Sequence, residues 1–181
     1  MATNFPGSLD SFTNPVAGDS LASPSHAGQH ADVNDAIEAI ETKLGIGAGT
    51  IGTWTSYTPV FTNFTLGDGT LSAHYCEIND VVLVTGNVTL GSTSSVTGEL
   101  QMTTPTGGVQ NLGSYNGVVR FGDATGGTTL GTVILAGASA VRLRPSTAGG
   151  TYVAVGVTSA TTPFTWATSD NFYWSYWYRK A

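Results

Sequence analysis

The chain has 181 residues, of which only 10% are charged, with a net charge of −6, 24 glycines and one cysteine, Cys76. Six lysines and arginines are too few to follow a phosphate backbone, which argues against nucleic acid as a partner. A single cysteine leaves no intrachain disulfide, and the glycines keep no three-residue period, so a collagen-like chain is excluded as well.

With charge so scarce, the surface must be built from Thr, Ser, Gly and Asn. The opening MATNFPGSLD has neither the basic n-region nor the apolar h-region of a secretory signal. No run approaches the ~18 apolar residues of a membrane span. The expectation is a protein made in a cytoplasm, without membrane insertion.

Residues 1–23 are rich in Pro, Ser, Asn and Gly and carry isolated apolar residues at Phe5, Leu9, Phe12, Val16 and Leu21. Nothing here repeats at a helical or strand period, so no regular element is expected. Composition alone fits a solvated tail. Two phenylalanines and spaced aliphatics fit better an extended peptide that pegs into a partner surface.

A helix is expected over residues 24–44. Ser23 can cap it, Pro24 suits its first position, and Gly45 can end it. Asp32, Asp35, Glu38 and Glu41 supply a polar face. Apolar residues fall at Val33, Ile37, Ile40 and Leu44, with gaps of four, three and four. This is a heptad seam with Ile37 and Leu44 at a, and Val33 and Ile40 at d. Extended backwards, it places His30 at a and His26 at d. A stripe so narrow is that of a coiled coil, and β-branched residues at both positions favour three strands over two. Residues 24–45 are therefore read as a parallel trimerisation helix, about 32 Å long. Packing of the same helix against the chain's own β region is the other reading. His26 and His30 would form an axial layer: a frayed polar end, or imidazoles around an ion or water.

Residues 46–53 (IGAGTIGT) read as a Gly-rich linker. Strands are expected beyond it at 54–61, 70–78, 81–90, 97–103, 116–121, 128–135, 139–144, 151–158 and 171–179. They are separated by Gly67-Asp68-Gly69, Asn79-Asp80, Gly91-Ser92, Gly107-Gly108, Gly126-Gly127 and Gly149-Gly150. In 81–90, Val82, Val84, Val88 and Leu90 share one parity, which makes that face the core. Nine short strands in residues 54–181 predict a β-sandwich or jelly-roll-like head. The class is mainly β.

In the last strand Phe172, Trp174, Tyr176 and Tyr178 fall on one side, and Tyr173, Ser175, Trp177 and Arg179 on the other. Trp174, Tyr176 and Tyr178 would suit a cell-surface glycan if exposed; aromatics on both faces suit burial in a sheet or between subunits. His74 and Cys76 share a strand face, but two ligands without a suitable carboxylate make no metal site. The motifs of nucleophilic hydrolases, zinc proteases and nucleotide-binding loops are absent from the sequence. No catalysis, cofactor or resident metal is expected.

The residues FPGSLDSFTNP, followed by SPSHAGQHADVNDAIEAIETKLG, resemble an N-terminal signature of virion proteins of tailed bacteriophages. The stretch WTSYTPVFTNFTLGDGTLSAHYCEINDVVLVTGNVTLGSTSSVTG is similar to a C-terminal β domain of phage minor tail and fibre proteins. Together these stretches cover about half of the chain. The resemblance implies an attachment peptide, a trimerising helix and a head exposed to the medium, and it supplies no catalytic residue. The expectation is a homotrimeric tail fibre or spike on the virion surface. Residues 1–23 would bind another virion protein, and the head would contribute to host-surface adhesion. A capsid head fibre or decoration protein is the alternative, and a glycan-binding module is an alternative of another class.

Overall fold

The computed structural model describes residues 18, 20, 22, 26–44, 52–110, 115–149 and 152–181. Phe5, Leu9, Phe12, Val16 and Leu21, the expected helix-end residues Ser23, Pro24 and Gly45, and the side chain of Leu44 lie outside the described residues. The chain divides into two compact units, Met1–Thr53 and Trp54–Ala181.

In the first unit, helix α1 spans His26–Leu44. The second unit is mainly β. Its strands are β1 (Thr55–Ser56), β2 (Phe61–Thr65), β3 (Thr70–Ile78), β4 (Val81–Thr89), β5 (Ser95–Thr103) and β6 (Val109–Gln110). They continue with β7 (Tyr115–Gly122), β8 (Thr128–Leu135), β9 (Ala140–Gly149), β10 (Tyr152–Val155) and β11 (Asn171–Lys180). All pairings are antiparallel, and the strands run β1-β3-β4-β11-β7-β8-β9-β5-β2, with β10 beside β9 and β6 beside β11.

The mainly β expectation holds, but the strands hydrogen-bond into one continuous sheet instead of dividing into two. That sheet curls into a half-barrel. Phe61, on the far edge strand β2, meets Phe172 and Trp174 of the interior strand β11, with ring centroids 6.1 Å apart in each case. Phe64 of the same edge strand packs on Phe172 at 5.5 Å. The concave side therefore closes on itself, and Val82, Val84, Val88, Leu100, Val119, Phe121, Val133, Leu143 and Phe172 fill it.

The expected strand 54–61 is broken in two. Pro59 has no N–H to give a ladder, and pairing resumes just after it, where the Val60 carbonyl accepts from the Thr103 N–H at 3.0 Å and β2 begins at Phe61. Asn63 then takes a left-handed conformation (φ 60°) at a register shift between Thr62 and Phe64, and its Nδ2 donates to the Glu99 carbonyl at 3.0 Å. This bulge is a local bend that alternation does not announce. At Asn79 (φ 54°), by contrast, the expected two-residue turn joins β3 to β4, with Ile78 opposite Val81.

Two expected turns prove to be one clasp. The Asp68 carboxylate accepts hydrogen bonds from the Thr93 backbone N–H, the Thr93 hydroxyl and the Ser92 hydroxyl, all at 2.8 Å. Gly67 beside it has φ 56°. These donors, the Thr93 backbone first, hold the Asp68 carboxyl well below the usual carboxylate range. A depressed folded-state pKa contributes stability above the unfolded value of about 3.9, and that contribution is lost as pH falls through the folded value. Asp68→Ala is therefore expected to lower the urea midpoint at neutral pH. The gap from the wild type should narrow below about pH 4, and a gap independent of pH would refute the assignment.

Candidate functional site

Helix α1 presents an apolar stripe to the outside. Val33, Ile37 and Ile40 are 48%, 49% and 46% exposed. A different face of the same helix is covered: Gly28, Gln29, Ala36 and Ala39 are partly buried, and Asp32 is buried. Asp32 thus leaves the fully polar face on which the sequence placed it, while Asp35 and Glu38 remain exposed. The stripe continues towards the N-terminus through His26 and His30, which are exposed and meet tip to tip. Their Nε2 atoms are 3.2 Å apart, and the rings stand at 86° with centroids 4.5 Å apart. A one-turn spacing on a helix puts both side chains on one line and makes this contact.

The second surface is the convex side of the sheet. In β11 the side chains alternate as expected, but the ladder proposed for a glycan points inward. Trp174, Tyr176 and Tyr178 are buried, so they are corrected from glycan contacts to core residues. The reason is register: Trp174 lies opposite Gly86 of β4 and Val119 of β7, and Tyr176 lies opposite Val84, all on the concave side. Burial raises the pKa of Tyr176, and it pushes the nearby Tyr57 phenol up to about 12. These hydroxyls serve the core.

The outward aromatics are Tyr173 and Trp177. Trp177, Trp54, Leu83, Val118 and Ser175 line a surface groove of about 570 Å³. Beside it the Arg120 guanidinium sits 5.0 Å above the Tyr173 ring, a cation–π contact. The sequence put Tyr173 and Trp177 on the right side of the strand without choosing that side as the exposed one. In β4, Val82, Val84 and Val88 mark the buried parity, but which parity of β11 stands opposite them is set by the register between the strands.

Arg144 and Arg142 reach Glu99 at 2.6 and 3.4 Å across β9 and β5. Lys180 pairs with Glu77 at 2.6 Å, which helps to hold the Glu77 carboxyl below its usual range. Cys76 is buried and free. Among the described residues, no group of three or more His, Cys, Asp and Glu side chains comes together to hold a metal ion. No described helix is long and apolar enough to cross a membrane.

No family model, curated protein or solved structure matches the chain.

Proposed function

We propose that this chain is a structural virion protein of a tailed bacteriophage, a homotrimeric fibre or spike. In this reading α1 joins three copies, residues 1–23 dock into another virion protein, and the β unit is presented to the medium and contributes to host-surface adhesion. The carrying observation is the exposed Val33-Ile37-Ile40 stripe on a helix that has a different face, around Asp32, partly buried. Burying such a stripe releases roughly 25 cal/mol per Å² of apolar area, and its heptad spacing selects another helix as the cover. The β unit has a core of its own, formed among the described residues by side chains of residues 54–181. The sequence resemblance of residues 5–15 and 23–45 to phage virion proteins supports the setting on a particle.

Light scattering on the full chain tests this. A mass of three 18.6 kDa chains is expected, and a single-chain mass at micromolar concentration would end the fibre reading. We favour the tail over the capsid as the place of attachment, and antibody labelling of particles would distinguish the two.

A second reading, a glycan-binding module, is favoured by one observation. The groove has two indoles, Trp54 and Trp177, in its lining, together with Leu83, Val118 and Ser175. Indole faces stack on sugar rings. It is the adhesion function without the particle, and it does not need the helix stripe.

A further inference from the structure

We infer that His26 and His30 form a divalent transition-metal site completed by assembly, with each of three parallel copies supplying the pair. The inference rests on the trimeric reading of α1.

Imidazole nitrogens bind first-row ions such as zinc at about 2.0–2.1 Å. Two such nitrogens at adjacent corners of an octahedron lie about 3.0 Å apart, and at two corners of a tetrahedron about 3.3 Å apart. The Nε2 atoms of His26 and His30 are 3.2 Å apart. Both are at the same ring position, both belong to exposed side chains, and both lie on the line of Val33, Ile37 and Ile40. The pair is therefore already at about chelating distance, and binding has to break the hydrogen bond between the rings and turn both Nε2 lone pairs towards the ion.

One chain is not enough. Two imidazoles leave most of a metal's coordination sphere to water, and among the described residues no third His, Cys, Asp or Glu joins them. The seam supplies what is missing. If Val33, Ile37 and Ile40 face a three-fold axis, His30 and His26 face it one and two layers further on. Three chains then bring six imidazoles to one place. Six neutral nitrogens suit zinc, nickel or cobalt, whereas calcium and magnesium prefer oxygen. The metal-free pair is held by an N–H···N hydrogen bond between the rings, in which the tautomer decides the donor. Metal binding needs both Nε2 atoms unprotonated, with the ring protons on Nδ1.

The site would pin the end of the coil where Gly28 weakens the helix. It would also fix parallel register, because a shift of one heptad separates the histidines of neighbouring chains.

The test uses the full chain without an affinity tag, titrated with cobalt(II) after removal of metal by a chelator. Mass is read by light scattering and metal content by elemental analysis of the same fractions. A trimer is expected to retain one cobalt per three chains and to show the visible absorption of nitrogen-ligated cobalt. His30→Ala should lose the ion while keeping the trimeric mass and the helical circular dichroism signal, and His26→Ala should do the same. A trimer that binds no cobalt, or one that still binds it in both variants, overturns the site and leaves the trimer standing. A chain that is not trimeric overturns the trimeric reading and the site together.

Discussion

Trp174→Ala is expected to destabilise the β unit by about 3–5 kcal/mol, the usual cost of removing a large aromatic from a core. Trp174 is buried on an interior strand of the sheet, with β4 on one side and β7 on the other. Its ring lies 5.8 Å from Phe172 and 6.1 Å from Phe61 of the far edge strand. It therefore joins the interior of the sheet to the edge that curls over it. The space for the indole is made by Gly86 directly opposite, where an added Cβ would collide with Trp174 Cζ2. Removing the indole leaves a cavity under a curved sheet, which cannot flatten to fill it without breaking the Phe61 contact. Urea unfolding of the variant should show a lower midpoint with an unchanged slope. Trp177→Ala, on the outer face of the same strand and 45% exposed, should cost less than half as much. Equal losses at the two positions would mean that the inward and outward faces of β11 are not as different as their burial indicates.

The contrast between these two tryptophans also shows what was legible in the sequence. Alternation located β4 and β11 to within a residue, because half-buried strands keep period two whatever their neighbours are. It also separated Trp174 from Trp177. It did not say which of them faces inward, since both sides of β11 are aromatic and only the register with Val84 and Val88 decides. That register links residues some 90 positions apart in sequence, and local pattern carries no information about it. The single curled sheet was missed for the same reason: strand lengths and turns are compatible with two sheets or one. At Pro59 and Asn63 a missing donor and a left-handed residue interrupt pairing, whereas β6 has only two residues to form a pattern. The helix was legible because its spacing of three and four is local. The covered face around Asp32 was not, since Gly28, Gln29, Ala36 and Ala39 are too small or too polar to mark it.

Ile37→Asp is expected to reduce the full chain from a trimeric to a single-chain mass while leaving the β unit folded. Ile37 sits at the middle of the exposed stripe, one turn from Val33 and close to Ile40. In a three-stranded coil it would be a core position in every copy, so one substitution acts three times. Losing about 2 kcal/mol of burial in each of three chains weakens assembly by about four orders of magnitude. Three carboxylates around one axis add repulsion and desolvation to that loss. Glu38→Ala, one residue along on the polar face, should leave the mass unchanged. Light scattering gives the mass, and the urea midpoint of the β unit reports whether the fold has survived; it should not move, because Ile37 does not belong to that core. An Ile37→Asp chain that still sediments and scatters as a trimer would show that the stripe is not the surface through which copies meet. The contact would then have to be sought on the β unit, where Trp54, Val118, Leu130, Tyr173 and Trp177 are among the exposed apolar side chains.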